Sequence, residues 1–133
     1  MRNLLYVSRS TIPAKEAEAQ VADIVAGAQL RNLPLQVTGA LVFTGDRFAQ
    51  YLEGPAASIQ ELMTSIRRDP RHLEVLELPL ALFSGRLFDG WSLAYSGSTP
   101  FVARLVEELA AADDPVATAC DKLVRLMQEF TGD

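Results

Sequence analysis

The stretch RFAQYLEG, residues 47–54 of this 133-residue chain, sets a carboxamide among residues that belong in a core. A strand's two-residue period puts Phe48, Gln50 and Leu52 on one face. A buried carboxamide without partners costs about 1 to 3 kcal/mol, so Gln50 needs a hydrogen-bonding neighbour. Tyr6 is a candidate, because in NLLYVS (3–8) it shares a face with Leu4 and Ser8, and a buried tyrosine hydroxyl needs a partner too. Asn32, at the end of a helical run, could overhang the same region. A phenol, a carboxamide and an asparagine could jointly hold the polar edge of a flat heterocycle, with Ile24 and Ile66 covering its faces. A lone Tyr–Gln hydrogen bond in an ordinary core explains the first two residues equally well. Taken singly, Asn32 reads as a helix C-terminal residue, Trp91 as core and His72 as a solvated member of a charged loop.

The elements that must position these residues can be read from periodicity. Asn3 to Ser8 suggests a first strand ending in a Ser/Thr/Pro turn. From Ala14 to Leu30, Ala17, Val21, Ile24, Val25 and Ala28 mark the apolar stripe of a helix that stops near Asn32 to Pro34. Val37 to Thr44 and Arg47 to Glu53 form a hairpin about Gly45-Asp46. With Thr44 opposite Arg47, Phe43 faces Phe48, Leu41 faces Gln50 and Gly39 faces Leu52. Gly39 then leaves room on the Gln50 face for a ligand or another backbone. Gly54-Pro55 begins a second helix with the stripe Ile59, Leu62, Met63 and Ile66. A polar loop (67–72) follows, then strands over Leu73–Phe83 and around Trp91–Tyr95, where Trp91, Leu93 and Tyr95 share a face.

The order βαββαβ plus one strand is the split pattern of ferredoxin-like α+β domains, a βαββαββ sheet with two helices on one face. In that order the first and third strands are central neighbours, which would bring Tyr6 to Gln50. Two further helices are expected, capped by Ser98 or Thr99 before Pro100 and by Asp114 before Pro115. The last carries a stripe of Val116, Cys120, Leu123, Met127 and Phe130, to be buried against the sheet's other face or another subunit.

Composition narrows the function classes. Apolar residues make up 49% and charged residues 22%, the balance of one globular domain. The formal net charge is -5, and the arginines at 67, 68 and 71 are interrupted by Asp69, so no nucleic-acid footprint is expected. No apolar run approaches membrane-span length and no signal peptide is evident, which suggests a cytoplasmic protein. One cysteine and one histidine exclude an intrachain disulfide and a Cys/His zinc site.

Taken jointly, LLYVS (4–8), Arg31-Asn32 with VTGAL (37–41), RFAQYLEG (47–54), IRRDPRH (66–72) and FDGWSL (88–93) resemble BLUF domains, blue-light sensors that use flavin. The resemblance covers about residues 2–97, leaving 98–133 as a helical extension packed on the sheet or a partner. It implies FAD held between the two helices. By position it implies that Tyr6 is the redox-active tyrosine, Gln50 the relay between tyrosine and flavin, and Asn32 the ligand of the ring's carbonyl edge. Ile24 and Ile66 would flank the ring, Asp69, Arg71 and His72 would be further polar contacts, and Arg31 sits at another polar position. Trp91 and Leu93 fall where the signal leaves the site.

The implied protein is a photosensor without substrate turnover. With no effector segment after Asp133, it is expected to act through a separate protein or a homo-oligomer. Leu93 stands where methionine is common and Ser65 where a basic residue is frequent, which puts in question a Met/Trp exchange and one cofactor contact. Those departures leave a second reading, an interaction module that kept the fold and lost photochemistry. A third, a small hydrolase using Arg9 or Asn32 near an anion, lacks a glycine-rich phosphate loop.

Overall fold

The computed structural model describes residues 1–81, 85–97 and 99–131, with Ser96, Phe130 and Thr131 described by backbone alone. The order is β1 (Arg2–Ser10), α1 (Ala17–Asn32, after a 3-10 turn at Ala14–Glu16), β2 (Thr38–Phe43), β3 (Arg47–Gly54) and α2 (Ala56–Arg68). It continues with β4 (His72–Leu78), β5 (Ala94–Gly97), α3 (Pro100–Ala111) and α4 (Ala117–Thr131). The sheet order β4-β1-β3-β2-β5 is the ferredoxin-like arrangement extended by β5, which lies parallel to β2 at one edge. The Gly45-Asp46 turn sets the expected register, with Phe43 opposite Phe48, Leu41 opposite Gln50 and Gly39 opposite Leu52.

Both faces of the sheet are covered, and for that reason every residue of β1 from Leu4 to Ser8 is buried. On one face, Leu4, Tyr6 and Leu52 pack against Ile59, Leu62, Met63 and Ile66 of α2. Beside them Val21 and Ala28 of α1 meet Leu41, Phe48 and Leu93. On the opposite face Leu5, Val7, Ala49 and Tyr51 pack against Val102, Val106 and Leu109 of α3 and Cys120, Leu123, Val124 and Met127 of α4. The α4 stripe is therefore buried on its own sheet, each side chain contributing about 1.5 to 3 kcal/mol. Its expected first member, Val116, is 62% exposed, and the side chain of Phe130 lies outside the described residues. No described helix is long and apolar enough to cross a membrane.

Several boundaries differ from the periodic reading. Pro55 caps α2, its carbonyl accepting the Ile59 N–H. Thr99 caps α3, its hydroxyl oxygen accepting from the Val102 N–H at 3.2 Å, while Ser98 lies outside the described residues. For α4 the Val116 carbonyl accepts the first bonds, so Asp114-Pro115 belongs to the connection. The fourth strand ends at Leu78, and Phe83 lies outside the described residues.

The strand expected around Trp91 is shorter and later. The chain turns at Gly90, whose φ is 87°, and the Trp91 N–H donates to the Phe88 carbonyl. Alternation cannot extend back through such a turn. Trp91 is consequently 47% exposed and not a core residue, while Leu93 is buried. Gly39 serves a neighbouring backbone and not a ligand. A Cβ there would lie 2.0 Å from the Tyr51 carbonyl oxygen, and its N–H donates to the Trp91 carbonyl at 3.2 Å.

Candidate functional site between the two helices

The pairing of β1 with β3 places Tyr6 directly opposite Gln50. The phenol of Tyr6 donates to Gln50 Oε1 at 2.5 Å, and both residues are buried. Gln50 also lines a cavity of about 190 Å³ between α1 and α2. With Oε1 engaged by the phenol, Nε2 is the end of the carboxamide left for the cavity. Burial pushes the Tyr6 phenol well above its ordinary pKa, with Asp69 adding to the rise and Arg31 opposing it. The phenol therefore stays protonated across the physiological range.

The cavity gathers most of the residues singled out by sequence. Ile24 and Arg31 come from α1, Ile66 and Ser65 from α2, and Asp69, Arg71 and His72 from the loop and strand that follow. Asp23, Gly27 and Ala28 also line it and were missed. Their signal is helical spacing, since they lie one residue before and one turn after Ile24. Asp69 organises the loop. Its carboxylate accepts the Arg71 backbone N–H at 2.9 Å and pairs with the guanidinium at 2.8 Å, and its carbonyl accepts the His72 N–H. The Arg71 hydrogen bonds hold the Asp69 carboxyl below its usual range, and Asp69 raises Arg71 in turn. Arg71 also reaches Asp23 at 3.2 Å, tying the loop to α1.

This loop closure removes His72 from solvent, contrary to the solvated reading. His72 opens β4 beside β1, is 6% exposed, and its Nδ1 is 2.9 Å from the Ser8 hydroxyl oxygen. Its ring lies 4.5 Å from that of Phe48 and edge-on to Tyr6. Burial lowers its pKa to about 4. The folded value lies below the unfolded one, so the unfolded chain binds the proton more tightly. Stability is then fully present above pH ~6.5, falls as the pH drops toward ~4, and is constant with respect to this group below that. The loss is at most about 3 kcal/mol. Urea unfolding of the flavin-free protein should show this decline between pH 7.5 and 5, and His72→Gln should flatten it. An equally steep decline in the variant would assign it elsewhere.

Asn32 is placed differently from the others. It ends α1, is 1% exposed, and its side-chain amide donates to the Ser92 carbonyl at 2.8 Å. It is not among the residues that line the cavity, and its Oδ1 has no hydrogen-bond partner. Leu93 packs with Ile24, Leu41 and Phe48 beside the site. Arg9 is exposed and pairs at 3.7 Å with Glu74, so it assembles nothing with Asn32. A flavin fits this set of residues. The aliphatic side chains of Ile24 and Ile66 suit the faces of a flat ring. An unpaired buried carboxamide oxygen and the Gln50 amide suit an edge that alternates carbonyls with an N–H.

Fold and cavity together define a ferredoxin-like α+β domain with a cleft between α1 and α2 that is lined in part by a tyrosine-bonded glutamine. The family described as "BLUF: Sensors of blue-light using FAD" matches residues 1–94, and the chain belongs to it. The photoactivated adenylate cyclase subunit beta of Euglena longa is 30% identical over 132 residues, 98% of this chain and 14% of that protein. The blue light- and temperature-regulated antirepressor BluF of Escherichia coli is 37% identical over 78 residues, 59% of this chain and 19% of that protein. Against such relatives the chain spans less than a fifth of their length. The dark-state structure of BlrB, a BLUF protein, superposes with a TM-score of 0.77 at 30% identity, covering 96% of this chain and 94% of that one.

Proposed function

We propose that this protein is a blue-light photoreceptor that binds FAD in the cleft between α1 and α2 and signals through a Tyr6–Gln50 switch. The observation that carries this reading is the 2.5 Å hydrogen bond from Tyr6 to a glutamine that itself lines the cleft. Bound flavin supplies the chromophore and, once excited, a strong oxidant. Tyr6 is the electron donor. A phenol that loses an electron becomes strongly acidic, and here a short hydrogen bond leads its proton to Gln50 Oε1. Gln50, with donor and acceptor ends, can rotate or tautomerise and present the opposite end to each neighbour. With the electron and proton returned to Tyr6, the rearranged Gln50 would give the ring's carbonyl edge a stronger hydrogen bond and shift the absorption to the red, with no net chemistry.

In this reading Ile24 and Ile66 flank the ring, and Asn32 binds its carbonyl edge by accepting, through the unpaired Oδ1, from the N–H that lies between the carbonyls. Arg31, Asp69, Arg71 and His72 complete the polar surround, with Trp91 and Leu93 on the output side. Residues 1–97 form the flavin-binding unit and 98–133 the helical extension. The protein turns over no substrate. It acts from the cytoplasm on another protein or through a homo-oligomer, whose interface must lie away from the stripe that α4 buries on its own sheet.

A light-minus-dark spectrum of the purified protein tests this. A yellow protein with a reversible red shift is expected. Flavin bound with an unchanged spectrum after illumination would select the interaction module suggested by Ser65 and Leu93. A colourless protein that takes up no added FAD would sink the photoreceptor reading and leave a flavin-free interaction module.

A further inference from the structure

Among the described residues, the proposed switch leaves one buried acid unused. Glu53, three residues after Gln50 on β3, is 1% exposed, and a carboxylate out of water is costly unless its oxygens are fully engaged. Its partners come from far along the chain. Oε1 accepts the Leu87 N–H at 2.7 Å, and Oε2 accepts the Phe88 N–H at 2.8 Å and the Thr38 hydroxyl at 2.7 Å. Arg86 locks the same corner, donating to the Thr38 hydroxyl oxygen at 2.9 Å, the Glu53 carbonyl at 3.2 Å and the Gln36 carbonyl at 2.7 Å.

From there the chain crosses from one side of the sheet to the other. Phe88 is buried among α3 and α4, whereas Leu93 is buried among α1 residues. The crossing is held by Trp91, bonded through its N–H to Phe88 and through its carbonyl to Gly39. At the far end the Ser92 carbonyl accepts from Asn32, and the Leu93 carbonyl accepts from Gln29 at 3.0 Å. At the near end the Leu87 carbonyl accepts from Gln128 of α4 at 3.3 Å. Residues 86–93 thus form a strap with Asn32 at one end and α4 at the other, pinned to the Gln50 strand by one carboxylate.

We infer that Glu53 is a positioning residue, fastening this strap so that a rearrangement at Gln50 and Asn32 is delivered to α4 on the opposite face of the sheet. The inference rests on the photoreceptor reading and adds its route of output. A contiguous set of hydrogen bonds becomes a coupling only if breaking one link uncouples its ends, and Glu53→Gln is suited to that. A carboxamide of the same size has one acceptor oxygen for two backbone N–H donors, and sets its own NH2 against the other.

The test is hydrogen exchange on the full chain, dark and lit, with FAD added, alongside absorption and the emission of Trp91, the sole tryptophan. In Glu53→Gln the red shift should persist. Dark exchange at Leu87, Phe88 and Trp91, whose N–H groups are bonded within the strap, should accelerate on the order of tenfold, and the Trp91 emission should change. The lit-minus-dark difference in α4, present in the native protein, should vanish. Thr38→Val removes one of the carboxylate's donors while suiting a strand, and should act in the same direction more weakly should Glu53→Gln fail to fold.

An α4 difference that survives these variants, or is absent from a native protein that shows the red shift, overturns the inference. So does dark loosening confined to 87–88. A native protein with no red shift removes the photoreceptor reading and the light-driven route together, and the dark exchange at Trp91 still reports whether Glu53 holds the strap.

Discussion

Tyr6→Phe is expected to keep flavin bound and lose the entire light-induced red shift. The substitution deletes one oxygen from a buried ring whose packing against Leu52, Ile59 and Ile66 is otherwise unchanged. It leaves Gln50 Oε1 without its donor, a cost of about 1 to 2 kcal/mol, too small to unfold the domain. Phenylalanine has no acidic proton to pass on and no hydroxyl to fix which end of Gln50 faces the cleft, so neither half of the switch remains. Gln50→Leu reaches the same end from the other side, leaving a phenol with no acceptor. Flavin-loaded variants compared by light-minus-dark absorption decide the matter. A full red shift in Tyr6→Phe would mean that another residue supplies the electron and proton. Retention in Gln50→Leu alone would remove the relay role and leave the tyrosine's intact.

The pair was legible in the sequence because its geometry follows from local rules. A two-residue loop at Gly45-Asp46 fixes the β2–β3 register, a period of two fixes the face of Gln50, and the ferredoxin-like order makes β1 the neighbour of β3. Ile24 and Ile66 were equally legible, since helical stripes state which side meets the sheet. His72 was not, because its burial depends on a loop closed by the Asp69 carboxylate and on the adjoining Ser8 hydroxyl, 64 residues away. Trp91 failed for a related reason. Its environment is set by a turn at Gly90 and by the anchor that Glu53 provides from 35 residues upstream of Phe88, and neither leaves a periodic trace. The one available signal was Glu53 itself, an acid in a strand that otherwise runs through the core.

Gly39 was only half legible, and Gly39→Ala should be the most destabilising single-methyl change in the sheet. The sequence allowed space for a ligand or for a backbone, and the structure places the Tyr51 carbonyl oxygen 2.0 Å from where a Cβ would stand, with the Tyr51 carbon at 3.0 Å and Leu52 Cα at 3.2 Å. All three belong to the backbone of β3, which cannot swing aside as a side chain can. β2 must therefore move off β3 at the Gly39–Leu52 pair, straining the adjacent Ala40–Tyr51 pair and the bond to Trp91. An alanine also restricts the unfolded chain, which favours folding by about 0.4 to 1 kcal/mol, but the overpacking term is larger, and a net loss of about 2 to 4 kcal/mol is expected. Gly27→Ala is the matched control. It lies on the cleft wall in α1 with nothing within 4 Å of an added Cβ, so helix propensity should raise stability by about 1 kcal/mol. Urea midpoints of the flavin-free variants separate the two roles. If Gly39→Ala keeps native stability and loses only flavin affinity, Gly39 makes room for the ring and the strand contact is incidental.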